Sequence, residues 1–391
     1  MTKIVNCWNE WDPLKRVVLG RPDNASIPAP GPDWQFNCAA GGMGLGYSMR
    51  YPQEMVDAAI EQQDGLVKIL EKRGIIVDRV FSHPFMKDDR GFTTPDWTQG
   101  KCPGVNNPRD AFLPIGNEIM EAPMSRRSRY YEYLAMRPLF EQWVKEDPEF
   151  LWTSAPRPRM TDESYKHNYY WQFEEEWSDE VKTKKLFDWD FHLTEKEPMW
   201  DAADCCRAGK DYFWYCSSTT NRVGMEWIRR YLATRGIRLH PVVLDTTQVP
   251  YYHPWHIDAG WLMLRPGLMM LANKKHIHNK ELVDLFKKND WEIVRSADPV
   301  YDWQDKLTMC STPKGQGMNG PNWVAANILS LDPNTIAISH LETKLMDQFD
   351  KMGFEVVGVP YEKVYRFGGM IHCNTLDVYR EGGLEDYFPN Q

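Results

Sequence analysis

Apolar residues at Val56, Ala59, Ile60, Val67 and Leu70 return at three- and four-residue intervals, which predicts one buried face of a helix beginning at Gln53. Gly74 ends it as a left-handed cap, and Ile75-Ile76-Val77 follows as a β-branched strand. The same order then recurs. Met225 to Arg235 predicts a helix, Gly236 a stop and Val242-Val243-Leu244 a strand. Lys280 to Lys288, Asn289-Asp290 and Trp291 to Val294 repeat it, as do Thr343 to Met352, Gly353 and Phe354 to Val357. A weaker copy runs from Arg137 through Val144 and Pro148 to Phe150-Leu151-Trp152, and a short strand, Lys15 to Gly20, precedes all of them. Five units of one construction predict a mixed α/β protein in which each unit buries its apolar face on its neighbours. The pattern fits an internally repetitive single domain over residues 1–391, or a doubly wound open sheet, and does not choose between them. Two stretches interrupt it. Arg21 to Gly46 is rich in Gly and Pro and predicts a covering loop; Pro156 to Glu197 is charged and aromatic and reads as an excursion between units.

Composition narrows the function classes. A formal charge of −9 without clustered Lys and Arg excludes a nucleic-acid surface. No run of about 18 apolar residues exists to span a membrane. The start, Met1 to Asn6, lacks signal or transit character, so the expected location is the cytoplasm. The cysteines, Cys7, Cys38, Cys102, Cys205, Cys206, Cys216, Cys310 and Cys373, form no C-x-x-C pair and the histidines no H-E-x-x-H, so neither a disulfide framework nor a metal site is expected.

Candidate chemistry centres on Gly368-Gly369-Met370-Ile371-His372-Cys373, where paired glycines allow close approach and Cys373 offers a nucleophile. The stretch reads as a short strand, which turns His372 away from the face of Cys373. His256-Ile257-Asp258, read as the start of a strand, places His256 and Asp258 on one face, a general acid/base beside a carboxylate. Asp201-Ala202-Ala203-Asp204 is a second acid pair, and Asn107-Pro108-Arg109-Asp110 supplies a third acid. Paired carboxylates match the fork of donors on a guanidinium.

These motifs, with Ile115 to Met124, Arg207 to Asp211, Asp377-Val378 and a weaker match in Asn9-Glu10-Trp11-Asp12, resemble the glycine amidinotransferase family, in its order. The nearest flavour is the bacterial natural-product branch that makes guanidinium metabolites and toxins. The resemblance implies the pentein fold, a five-bladed α/β propeller of ββαβ modules. It implies that Cys373 is the nucleophile and His256 the general acid/base, with Asp201 engaging the guanidinium and orienting the histidine. Asp110 and Asp258 would bind guanidinium nitrogens, and Asp204 would assist. The implied reaction is ping-pong transfer from L-arginine to a small-molecule amine, releasing ornithine, with no cofactor. Five positions depart from the family: Lys275 stands where an arginine holds the donor carboxylate, Gly320-Pro321 where two serines precede Trp323, and His253 and Trp255 where an Asn and a Met line the acceptor side. An acceptor other than glycine is therefore expected. The alternatives are a guanidine-modifying hydrolase of the arginine deiminase or dihydrolase type, and a guanidinium-binding protein without turnover. Monomer and homodimer are both compatible with the chain.

Overall fold

Each helix, stop and strand belongs to a larger unit in which a middle strand has an antiparallel neighbour on one side and a parallel one on the other. The structure, a computed structural model, describes residues 3–29, 31–34, 50–87, 91–102, 104–167, 177–245, 256–272, 276–300 and 326–391. Leu14–Leu19 (β1), the helix Gln53–Lys72 (α1) and Ile76–Arg79 (β2) make the first parallel crossover. Phe112–Ile115 (β3) and Glu118–Glu121 (β4) form a hairpin, and Arg137–Glu146 (α2) leads to Leu151–Ser154 (β5), parallel to β4. Cys205–Ala208 (β6), Asp211–Tyr215 (β7), Arg222–Thr234 (α3) and Arg238–Val242 (β8) repeat the plan. So do Trp261–Arg265 (β9), Leu268–Leu271 (β10), Lys280–Lys288 (α4) and Glu292–Arg295 (β11). Leu329–Asp332 (β12), Thr335–Ser339 (β13), Thr343–Lys351 (α5) and Glu355–Val359 (β14) follow. The antiparallel partner of β1 comes from the far end of the chain: Thr375–Arg380 (β15) lies along it with Leu19 opposite Thr375 and Leu14 opposite Arg380.

Among the described residues these are five separate three-stranded sheets, and no sheet closes on itself. The open doubly wound alternative is thereby set aside. One expected strand shifts: the third unit's outer strand is Arg238–Val242, ahead of Val242-Val243-Leu244. Its pairing with β7 starts at Arg238 opposite Asp211, and Asp211 accepts from Arg238 Nε at 2.8 Å and contacts His240 Nε2 at 2.7 Å. Polar residues satisfied in this way hide the strand from a hydrophobicity reading.

The strands nearest the site, β3 and β6, are buried at every position. On β6, Cys205 and Cys206 point into different apolar clusters, as successive strand residues must. β6 touches β9, β12 touches β1 and β15 touches β3, so neighbouring sheets meet through their first strands. Helix α1 buries Val56, Ala59, Leu66 and Leu70 and, on the same face, Gln63, whose amide donates to Asn374 Oδ1 at 3.1 Å beside Cys373. Among the described residues no helix is long and apolar enough to cross a membrane. Of the covering loop, Ser26 and Ala29 donate backbone hydrogen bonds to Cys102 and Gly100; residues 35–49 lie outside the described set. The excursion holds a helix, Asp179–Phe187, capped by Ser178.

Candidate active site

Cys373 stands in a single helical turn, Ile371–Asn374, and not in a strand; β15 begins only at Thr375. Gly368 and Gly369 both take φ of +83°, a left-handed geometry that turns the chain sharply into the helical turn. At Gly369 an added Cβ would lie 2.4 Å from Cys373 Cβ and 2.9 Å from its sulfur, so the pair is required by the close approach as well as by φ. Asn107 Nδ2 donates to the Gly368 carbonyl at 2.7 Å, and Asn327 Oδ1 accepts from the Met370 and Cys373 amides at 3.1 and 3.0 Å. These bonds satisfy donors that a helix start leaves unpaired. Gly369→Ala is expected to lower kcat/KM by about 100-fold, the scale of an ångström's misplacement of a reacting group, and to lower the thermal midpoint. Kinetics and calorimetry on the purified variant check it, and near-normal activity would mean that the approach is not required.

The helical turn changes the place of His372. Its Nδ1 lies 2.9 Å from Asp258 Oδ2, the oxygen that also accepts from the Cys373 thiol at 3.3 Å and from Asn327 Nδ2 at 3.2 Å. Adjacent residues on a helix are about 100° apart rather than 180°, so both side chains reach one carboxylate. His372 Nε2 is 3.6 Å from Glu10 Oε2, and beside this group a cavity of about 20 Å³, lined by Glu10, Asp258, His372 and Ser330 among others, has the room of about one water.

His256 likewise does not start a strand. It precedes a 3-10 turn, Ile257–Ala259, so His256 and Asp258 sit at the two sides of a tight turn. His256 Nε2 is 3.2 Å from Asp201 Oδ2 and Nδ1 is 3.5 Å from Asp110 Oδ1. Burial pushes the imidazole down, but the Asp110 charge and the Asp201 hydrogen bond win, and its pKa rises to about 9. Burial pushes Asp201 up, and the bond from His256, with Arg129 and Arg126, more than reverses it and holds the carboxyl low. Asp201 Oδ1 accepts from the Ser125 amide and hydroxyl at 2.9 and 3.0 Å, which fixes the carboxylate toward the histidine.

Burial raises Asp258, but the hydrogen bond and charge of His372 bring it below its ordinary range. Cys373 is pushed well up, by burial first and then by the Asp258 and Asp110 charges. Asp204 stands apart in character: Ser217, Thr219 and Thr220 hydroxyls donate to its Oδ2 at 2.7, 2.8 and 2.5 Å, and burial raises it to about 7. The structure therefore brings together Cys373, Asp258, His256, Asp201 and Asp110, while Asp204 is held by the hydroxyls behind them. Lys275, His253, Trp255, Gly320 and Pro321 lie outside the described residues.

Several residues that build this site were given no role from the sequence, although Arg109, Asp377, Glu10 and Arg207 fall within the motifs quoted above. Arg129 donates to Asp110 Oδ2 at 2.5 Å and to both oxygens of Glu132 at 2.8 and 2.7 Å, so Asp110 is held by one oxygen only. Arg109 donates to the carbonyls of His372 and Thr375 at 2.8 and 2.9 Å and to Asp377 at 2.7 Å, clamping the cysteine turn. Asp377, buried among Arg109, Arg380 and Arg207, is held far below its ordinary range against the pull of burial. Glu10 takes the other side of Arg207 at 2.7 and 2.8 Å. Breaking such a buried pair costs about 3–5 kcal/mol, so these groups fix the floor under the cysteine. A Pro-bounded turn with Arg109 next to Asp110 was one sequence sign of it.

No family model matches the chain. Over 98% of its length it superposes on the solved structure of SxtG, an amidinotransferase from Microseira wollei in the saxitoxin biosynthetic pathway, with a TM-score of 0.80, 31% identity and 99% of that chain covered. The class defined by fold and site is thus that of the amidinotransferases, mixed α/β enzymes of the pentein type. The mitochondrial glycine amidinotransferase of Xenopus laevis is 34% identical over 392 residues, 97% of this chain and 84% of that protein. The L-arginine:L-lysine amidinotransferase of Pseudomonas savastanoi pv. phaseolicola is 29% identical over 396 residues, 99% and 97% of the two chains. The chain belongs to the glycine amidinotransferase family, and it is an amidinotransferase.

Proposed function

We propose that the protein moves the amidino group of L-arginine through a Cys373-bound intermediate to a small-molecule amine other than glycine. The observation that carries this reading is a pair of buried carboxylate oxygens, Asp110 Oδ1 and Asp258 Oδ1, that receive no hydrogen bond from the described residues, the nearest approach being His256 Nδ1 at 3.5 Å from Asp110 Oδ1, in a site with a thiol and a histidine. Unpaired buried carboxylate oxygens cost free energy until a cation with several N–H donors arrives, and a guanidinium supplies these on one planar face. The resting site is also over-negative around the sulfur, which keeps the thiol protonated. A bound guanidinium offsets that charge and favours the thiolate, the thiol losing its proton to water as arginine binds.

In the first half-reaction the Cys373 sulfur lone pair forms a bond to the central guanidinium carbon. The bond from that carbon to Nε of arginine then breaks, and the protonated His256 gives its proton to the departing nitrogen, which leaves as the side-chain amine of ornithine. In the second half, the acceptor amine attacks the amidino carbon, neutral His256 takes the amine's proton, and the sulfur leaves as thiolate. A pKa of about 9 supports the first role, since His256 enters the cycle protonated near neutral pH. Asp201, fixed by Ser125, orients the ring, Asp110 and Asp258 hold the guanidinium, and Asp204 supports the histidine's charge from behind.

The five three-stranded sheets support a five-bladed propeller with one catalytic domain over residues 1–391. The acceptor is read as an amine other than glycine because relatives named for lysine and for saxitoxin synthesis share the fold and family, and because His253, Trp255, Lys275, Gly320 and Pro321 replace the family's usual residues.

Intact-mass measurement after brief incubation with arginine alone tests the reading. One amidino group is expected on the wild type, none on Cys373→Ala, and addition of the correct amine discharges it. Continuous release of ornithine with urea, or of ammonia with citrulline or ornithine, without an amine would favour a hydrolase instead, and release of neither ornithine nor citrulline would exclude arginine as substrate.

A further inference from the structure

The sulfur of Cys373 lies 3.3 Å from the Asp258 carboxylate, and among the described residues the Asn327 carboxamide donates a hydrogen bond to it. We propose that Asn327 is a catalytic residue, its carboxamide N–H stabilising the Cys373 thiolate when the sulfur attacks and again when it leaves; this rests on Cys373 being the nucleophile. Asn327 Nδ2 lies 3.1 Å from Sγ and 3.2 Å from Asp258 Oδ2. Its Oδ1 accepts from the amides of Met370 and Cys373. Those four contacts fix which end of the amide is which. A flipped side chain would set NH2 against two backbone donors and its oxygen against a carboxylate and the sulfur. Asn327 is 2% exposed and lies two residues before β12, so the donor is held rigidly and away from competing water.

The sulfur is a thiolate as it attacks and as it leaves, and a thioether between them. A fixed donor lowers the free energy of the two thiolate states, so it aids formation of the nucleophile and its departure from the amidino carbon. Asp258 does the opposite to the bare sulfur, and Asn327 Nδ2 draws the same Asp258 oxygen, which keeps that carboxylate in place for the substrate cation.

Asn327→Asp separates this role from a structural one. It retains an oxygen for the Met370 and Cys373 amides and replaces the donor with an acceptor. The readout is the rate of Cys373 alkylation by iodoacetamide against pH, followed on the Cys373 peptide by mass spectrometry, with kcat and KM on the same preparations. Alkylation is expected to slow about 10-fold or more at a fixed pH between 7 and 9, with kcat/KM lower by about 10- to 100-fold and the thermal midpoint within a few degrees of wild type. Asn327→Ala, which loses all four contacts, is expected to show at least the same slowing and a lower midpoint. A wild-type alkylation profile in either folded variant, with whatever change in midpoint, overturns the proposal and leaves Asn327 a structural residue. Failure of the underlying reading looks different: turnover would survive Cys373→Ala.

Discussion

Cys373→Ala is expected to lower turnover by about 10⁴-fold or more while leaving arginine binding within a few-fold of wild type. The two effects separate because they rest on different atoms. The sulfur carries the covalent step. The cation is held by Asp110 and Asp258, whose unpaired oxygens remain in the variant, and Asp258 keeps His372 and Asn327 as partners. Loss of a thiol from that cluster removes a weak donor and no charge, so the carboxylates stay ionised. Calorimetric titration with arginine, beside steady-state rates, checks both halves. Unchanged turnover would remove Cys373 from the chemistry, and lost binding would mean that the sulfur itself shapes the guanidinium pocket.

His256→Gln is expected to cost about 10³-fold in kcat, within the range of a general acid that must protonate a poor leaving group. It also carries a signature in stability. The folded pKa of about 9 lies above the ordinary histidine value of about 6.5. The charged ring therefore stabilises the fold fully below pH ~6.5, and that contribution fades as pH rises through ~9. Wild-type thermal midpoints should fall across this window, and the fall should shrink in His256→Gln. Glu132 and Asp204, each raised by burial to about 7, also lose stability with rising pH, but mostly below that window; Asp204, which loses the opposing His256 charge in the variant, titrates higher there. A midpoint with the same slope in wild type and variant would show that the Asp110 and Asp201 contacts do not hold the proton. An unchanged kcat would assign the proton transfer elsewhere.

The helices and most outer strands were legible because each obeys a period: α1, α3, α4 and α5 bury one face, and their glycine or Asn-Asp stops lead into apolar runs, β8 with its Arg-Leu-His-Pro-Val being the exception. The first strands of the later sheets were not. β6 reads Cys-Cys-Arg-Ala and is buried throughout, so it shows no alternation, and Arg207 within it is buried only because Glu10 and Asp377 pair with it. The chemistry-bearing residues were legible as types and motifs, yet their local shape was not. A four-residue helical turn is too short to leave a period, and the turn at Cys373 is specified by two glycines and by Asn327, 46 positions away. That is why His372 was assigned to the wrong face. Asn327 itself sits in Trp323 to Asn327 with nothing to distinguish it from any polar residue before a strand.

The pairing of β15 with β1 bears on how the enzyme comes into being. β1 and its antiparallel neighbour lie far apart in the sequence, and Leu14 meets Arg380 across the described chain. Contacts of such long sequence separation are late to form, because the loop they close is entropically expensive. The same stretch brings Cys373, so completion of the first sheet and placement of its sulfur are a single folding event. The middle sheets and their acids can form ahead of it.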